Sequence, residues 1–129
     1  MHARTCTILL LEDEPLILMD LEFAAEEAGC LPLCASAVSQ ALRMLGSDRR
    51  IDVAILDVSL KDDETCLPVA HALQERGIPF LLHSGDLDRK DEKVRELDAV
   101  LIAKPASADR VVETALDLTR QTGRQGQEA

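Results

Sequence analysis

Aromatic residues are almost missing from this chain: 129 residues hold two phenylalanines, Phe23 and Phe80, and no tryptophan or tyrosine. Base-stacking platforms, aromatic cages and aromatic-anchored interfaces draw on such rings, so their scarcity argues against all three. Positive charge is short as well. With 14 basic against 24 acidic residues the formal charge is −10, which repels phosphate backbones and anionic lipid surfaces and leaves neither nucleic acid nor a membrane as an expected partner. No apolar run approaches the roughly 18 residues of a membrane span. Met1 to Thr5 lead straight into a strand, so a cytoplasmic location is expected. The four cysteines, Cys6, Cys30, Cys34 and Cys66, form no C-x-x-C pair and have no histidine nearby; they read as reduced core residues.

The chain is 47% hydrophobic and 29% charged, which suits one domain with a single core. We place it at residues 1–121, followed by a polar, flexible tail at 122–129. The stretch Val53-Ala54-Ile55-Leu56-Asp57 is a short apolar run ending in a carboxylate, and it reads as a strand buried on both faces of a parallel sheet. The strand itself is placed at Ile51 to Leu56, and similar runs at Cys6 to Leu11, Leu31 to Ala35, Ile78 to Leu82 and Ala99 to Ala103 predict four more. Helical stripes lie between and after them. The first runs from about Leu16 to Ala28 and stops at Gly29; it turns Ile17, Leu21, Ala24 and Ala28 to the sheet and sets Leu16, Met19 and Phe23 as a second stripe on its far side. That second stripe fits either a neighbouring helix or a docking surface. Arg89 to Leu97 has only Val94 and Leu97 as apolar anchors and is expected to be weakly held, and the last helix is placed from about Ala108 to Arg120. Strands alternating with helices through short loops specify a doubly wound α/β fold with a five-stranded parallel sheet.

Chemistry in such sheets gathers at the carboxyl ends of the strands. Those ends carry Glu12 and Asp13 after the first strand, Asp57 at the third, Ser84 after the fourth and Lys104-Pro105 after the fifth. This set resembles the phosphoacceptor site of bacterial two-component response regulator receiver domains, over about Thr5 to Gln121. The resemblance implies the flavodoxin-like (βα)5 fold with strand order 2-1-3-4-5, which makes the listed ends converge. Two carboxylates about 5 Å apart repel by roughly 3 kcal/mol at an effective dielectric of 20, and a divalent cation relieves that strain. Oxygen ligands without a His/Cys set favour Mg²⁺ over Zn²⁺.

The resemblance implies roles residue by residue. Asp57 accepts a phosphoryl group from a sensor histidine kinase or a histidine phosphotransfer protein. Asp13, Asp57 and the Ser59 backbone carbonyl ligate Mg²⁺, with Glu12 acting through water. Lys104 and Ser84 read the phosphorylated state, and the Lys104–Pro105 bond is cis. Such a protein is a phosphoacceptor signalling protein that catalyses only its own phosphorylation and dephosphorylation. Pro79 to Gly85 also resembles, in part, a Pro-Phe-x-Phe-Ala-Thr-Gly-Tyr segment found on strand four of some single-domain regulators.

Three positions depart from the family pattern. Leu101 stands where receivers usually carry a Tyr or Phe that swings inward on activation, so an aromatic switch is excluded. His83 replaces a small residue; it fits either a pH sensor near the phosphoryl site or, as the favoured reading, a partly exposed polar tip at the strand end. Asp86 lies two residues past Ser84, where it could hold a water near the acyl phosphate and tune its lifetime. No effector segment follows Pro105, so output by protein contact is expected. The Leu16/Met19/Phe23 stripe with the Pro105 loop is the candidate face for the phosphodonor, and the Arg89 to Leu97 region with the last helix is the candidate face for a downstream target or a homodimer. The alternative is a pseudo-receiver, a binding module of the same fold that is not productively phosphorylated, which Leu101 favours and the intact acid, serine and lysine set opposes. A haloacid-dehalogenase-like phosphatase needs a second Asp where Ser59 stands, and a flavin-binding flavodoxin would find its phosphate repelled by Glu12-Asp13-Glu14.

Overall fold

A computed structural model of the chain describes residues 6–85 and 92–128. Five strands, β1 (Thr7–Leu11), β2 (Leu31–Ala35), β3 (Val53–Asp57), β4 (Phe80–Ser84) and β5 (Val100–Ala103), pair in parallel in the order β2-β1-β3-β4-β5. The helices are α1 (Pro15–Glu27), α2 (Val38–Leu45), α3 (Leu67–Glu75), α4 (Glu92–Glu96) and α5 (Ala108–Glu128), with a short 3₁₀ turn at Lys61–Asp63. The sheet order and the helix alternation are those expected from the sequence.

Burial follows position in the sheet. Every residue of β1, β3 and β4 is buried, whereas the edge strands β2 and β5 alternate toward solvent. Leu9, Leu11, Ala54, Leu56 and Leu82 pack on one face with α2 and α3. Ile8, Leu10, Val53, Ile55 and Leu81 pack on the other with α1 and α5. This is the two-sided burial that makes parallel strands read as continuous apolar runs. Gly29 and Gly77 take positive φ of 84° and 70° just past α1 and α3, the left-handed conformation that lets the chain leave a helix and re-enter the sheet.

Several boundaries differ from the sequence reading by a residue or more, and four of the differences have a local reason. β4 starts at Phe80, not Ile78, because the Ile78 amide bonds back to the Leu73 carbonyl to close α3 and Pro79 has no N–H to give. β3 starts at Val53, not Ile51, because Asp52 turns its carboxylate onto the Thr7 amide at 2.8 Å. Ala28 is exposed at the end of α1 and does not face the sheet. Helical backbone in α5 continues past Arg120 to Glu128; Gly123 and Gly126 weaken a helix by about 1 kcal/mol each but, unlike proline, do not break it. α4 is short, yet both Val94 and Leu97 are buried in the core, so two side chains pin this segment.

All four cysteines are free thiols. Burial pushes Cys6 up to about 12 and Cys34 up to about 11, so both stay protonated and unreactive at neutral pH. Among the described residues no helix is long and apolar enough to cross a membrane.

Candidate phosphoacceptor and metal site

The ends of β1, β3 and β5 bring the acids and the lysine together. Glu12 follows β1 directly; its amide donates to the Ala35 carbonyl at 3.0 Å, which holds the turn against β2 and leaves the side chain 1% exposed. Asp57 is the last residue of β3, and its register partner on β4 is His83. Carboxylate oxygens of Glu12, Asp13 and Asp57 lie within 4.8 Å of one another. Lys104, just past β5, reaches into the cluster with its Nζ 3.1 Å from Glu12 Oε1 and 3.2 Å from Asp57 Oδ1. Its amide donates to the Ser84 carbonyl at 2.8 Å, and the Lys104–Pro105 bond is cis.

Asp13 does not make an ion pair with the lysine. Its Oδ2 accepts the Lys61 amide at 2.6 Å and so fastens the loop after β3 to the turn after β1. That loop carries Ser59, which pairs with Thr65 in an isolated antiparallel bridge. Asp62 and Asp63 follow with positive φ of 61° and 60°, a conformation that non-glycine residues adopt at a cost. The Asp13–Lys61 tie spans 48 positions and leaves no mark in local sequence pattern.

Burial raises the Asp57 carboxyl to about 7, and the nearby Glu12 charge adds to the rise, against the opposing pull of Lys104. For Lys104 burial works against the charged form, but Asp57 and Glu12 outweigh it and the net shift is upward. Three acids around one ammonium therefore leave a surplus of negative charge, and the carboxyl at the centre resists ionising until more positive charge arrives. Oxygen donors at that separation, two of them buried, fit a hard divalent cation.

Ser84 ends β4 with its hydroxyl fully buried and without a partner among the described residues. Gly85 follows it, and Asp86 lies outside the described residues. Leu101 is half-buried opposite Leu82 and packs against the α2/α3 side of the core. His83 is not a polar tip. It sits inside β4, 4% exposed, because α1 and the segment after β5 cover this end of the sheet. Burial, with Lys104 nearby, holds its imidazole below the usual value. The Leu16, Met19 and Phe23 stripe is 72%, 56% and 65% exposed, so among the described residues no neighbouring helix covers it.

Comparison with known proteins bears on the whole chain. No family model and no curated protein matches it. Solved structures do match. A response regulator receiver protein from Sinorhizobium medicae WSM419 is 24% identical with a TM-score of 0.76, covering 91% of this chain and 96% of that one. A CheY-like receiver domain protein from Methanospirillum hungatei JF-1, 19% identical, superposes with a TM-score of 0.81 over 95% of this chain and 99% of its own. SdrG from Sphingomonas melonis Fr1 is 38% identical, with a TM-score of 0.74 over 92% of this chain and 98% of that chain. The chain belongs to the response-regulator receiver family. In this receiver, as the sequence suggested, Glu12, Asp13, Asp57 and Lys104 meet at the carboxyl edge of the sheet. What the sequence did not reveal is the depth of His83, whose only signal was a bulky polar residue where the family keeps a small one.

Proposed function

We propose that this receiver accepts a phosphoryl group on Asp57 from a histidine on a sensor kinase or phosphotransfer protein, and that it signals by protein contact rather than by catalysis on other molecules. The observation that carries the reading is the Lys104 ammonium held at 3.1 and 3.2 Å from Glu12 and Asp57 beside a third carboxylate. Phosphoryl transfer asks mainly for positioning and neutralisation of charge. An Asp57 oxygen forms the bond to phosphorus as the bond from phosphorus to the donor nitrogen breaks, and the electron pair leaves with the donor's imidazole. Lys104 is placed to turn from its carboxylates to a phosphoryl oxygen, and the unpartnered Ser84 hydroxyl is placed to donate to another.

Glu12, Asp13, Asp57 and the Ser59 carbonyl would hold Mg²⁺. When bound, the ion supplies the positive charge that lets an anionic donor approach an anionic acceptor. Leu101 is the observation that favours the second reading, a pseudo-receiver that binds partners without being phosphorylated.

Intact-mass measurement after incubation with acetyl phosphate and Mg²⁺ separates the two. The expected result is a gain of one phosphoryl group, abolished by Asp57→Asn and by chelator. A folded protein that gains none is a pseudo-receiver.

The exposed Leu16, Met19 and Phe23 stripe lies on α1 and supports docking of the phosphodonor there. A carboxylate in its centre should be expensive to cover. Phe23→Glu is expected to slow transfer from a histidine-phosphorylated donor protein by roughly tenfold or more, while labelling by acetyl phosphate stays near the wild-type rate. Loss of both rates together would mean that the variant is misfolded and that docking had not been tested.

A further inference from the structure

Cys6 and Cys30 stand side by side at the amino ends of β1 and β2, at the opposite end of the sheet from Asp57. The parallel register that pairs Thr7 with Leu31 sets the residue before each opposite the other. The Leu31 amide donates to the Cys6 carbonyl at 2.7 Å, so the ladder reaches back to this pair. Neighbouring strands lie about 4.8 Å apart, inside the Cα separation of about 4.4–6.8 Å that a disulfide spans. Both side chains join the core shared with α1 and α5, and a hydrogen bond links the two thiols. Each residue stands just outside its strand, where the backbone is less constrained than inside the ladder. The other two cysteines have different neighbours: Cys34 shares a hydrogen bond with Glu22, and Cys66 is buried in the core on the opposite face.

We propose that Cys6 and Cys30 are a redox-sensitive thiol pair, converted by hydrogen peroxide to an intramolecular disulfide that ties the start of β1 to the start of β2. Cys30 is the attacking thiol. Burial raises it, but the Cys6 S–H donated to it lowers it again in part before Asp52 adds to the rise; at Cys6 every contribution is upward. The Cys30 sulfur gives up its proton and attacks one peroxide oxygen. The O–O bond breaks, hydroxide leaves and takes that proton as water, and Cys30 becomes a sulfenic acid. The Cys6 sulfur then attacks the Cys30 sulfur, the S–O bond breaks, and the hydroxyl departs with the Cys6 proton as a second water. The two thiols lose two electrons and two protons, and the peroxide gains them. Cys6 stays inert toward oxidant in solution at neutral pH, but it has only to close on a sulfenic acid already beside it. The bridge would close the stretch of chain that carries the acidic turn and α1.

The test exposes the reduced full chain to hydrogen peroxide, blocks the remaining thiols with N-ethylmaleimide after unfolding, and reads the intact mass and the peptide map. The expected product is a monomer lighter by two hydrogens that takes up the reagent at Cys34 and Cys66 only and yields a peptide linking Cys6 to Cys30. Dithiothreitol should restore all four thiols. The pair should lose its thiols roughly tenfold or more faster than Cys34 does, and the same treatment in urea should scatter the linkages among the four cysteines. Cys6→Ser should stop at a sulfenic acid on Cys30, which dimedone traps, whereas Cys30→Ser should leave Cys6 a thiol. The proposal is overturned by a linkage to Cys34 or between two chains, by loss of the pair no faster than of Cys34, or by four thiols still blockable at a dose that oxidises the unfolded chain. The wild-type map decides the linkage whether or not either serine variant folds, and Asp57 takes no part in it.

Discussion

Replacing Asp57 with Asn stabilises the metal-free protein, and the gain grows as the pH rises from about 4 to about 7. The sign follows from the direction of the shift. The folded state holds the Asp57 proton up to about 7, whereas the unfolded chain releases it near the ordinary value of 3.8. Between those values the folded state binds the extra proton, so stability is fully present below the lower one and is lost on the way to the upper one. A carboxyl forced to ionise so far above its ordinary value costs on the order of 4 kcal/mol. Asn cannot ionise and escapes the loss. The pull of Lys104 is already contained in that shift; discounted for screening by water at the open end of the site, the variant should be about 2–4 kcal/mol more stable above neutrality, a rise of roughly 5–15 °C in Tm. Mg²⁺ should narrow the gap by stabilising the wild type through binding to the folded state. Melting curves from pH 4 to 9, with Mg²⁺ and with chelator, measure this. A variant that melts at or below the wild type at high pH would show that the acids are not in conflict.

Lys104→Met should have the opposite effect with the opposite pH dependence. It removes the ammonium between Glu12 and Asp57, both nearly inaccessible to water. Removing one partner from a buried ion pair commonly costs about 3–5 kcal/mol because the remaining charge has nowhere to go. Here the remaining acid can take up a proton, so the loss should be largest above neutrality and should shrink toward pH 5, where Asp57 is already protonated. Labelling by acetyl phosphate should fall roughly 100-fold, since a preorganised charge on the transferring group is lost. Lys104→Arg keeps the charge and should recover most of the stability, but only part of the rate, because a planar fork does not replace a point charge. Combining Asp57→Asn with Lys104→Met should cost less than the sum of the two single effects, as expected for groups in direct contact.

The central strands could be read from the sequence because burial on both faces writes itself as an unbroken apolar run, as at Thr7 to Leu11 and Val53 to Asp57. The acids and the lysine could be read because each stands where such a run stops. Pattern failed where a position's environment is set by a distant segment. Ile78 and Pro79 are as apolar as a strand, but the Ile78 amide closes α3 on the Leu73 carbonyl, and of Pro79 only the carbonyl joins the sheet, accepting from the Ala54 amide. The polarity of His83 marks an edge in one dimension, whereas in the fold α1 lies over it. Helical periodicity places Leu16, Met19 and Phe23 on one side of α1 without saying whether anything covers that side. The tie from Asp13 to the Lys61 amide depends on two loops that meet only once the sheet is complete.

Consecutive residues of a strand project to opposite faces of the sheet. On β4 this sets Ser84 on the side of Phe80 and Leu82, which pack toward α2 and α3, and His83 on the side of Leu81, which packs toward α1 and α5. The two are joined by one peptide bond, so the end of β4 serves both faces of the sheet with adjacent residues. A displacement of the backbone at Ser84, as distinct from a rotation of its hydroxyl, would be shared by His83 on the opposite face. With an aliphatic residue at position 101, a change at Asp57 carried by the backbone of β4 would reach the α1 side of the molecule without any ring turning over on the other.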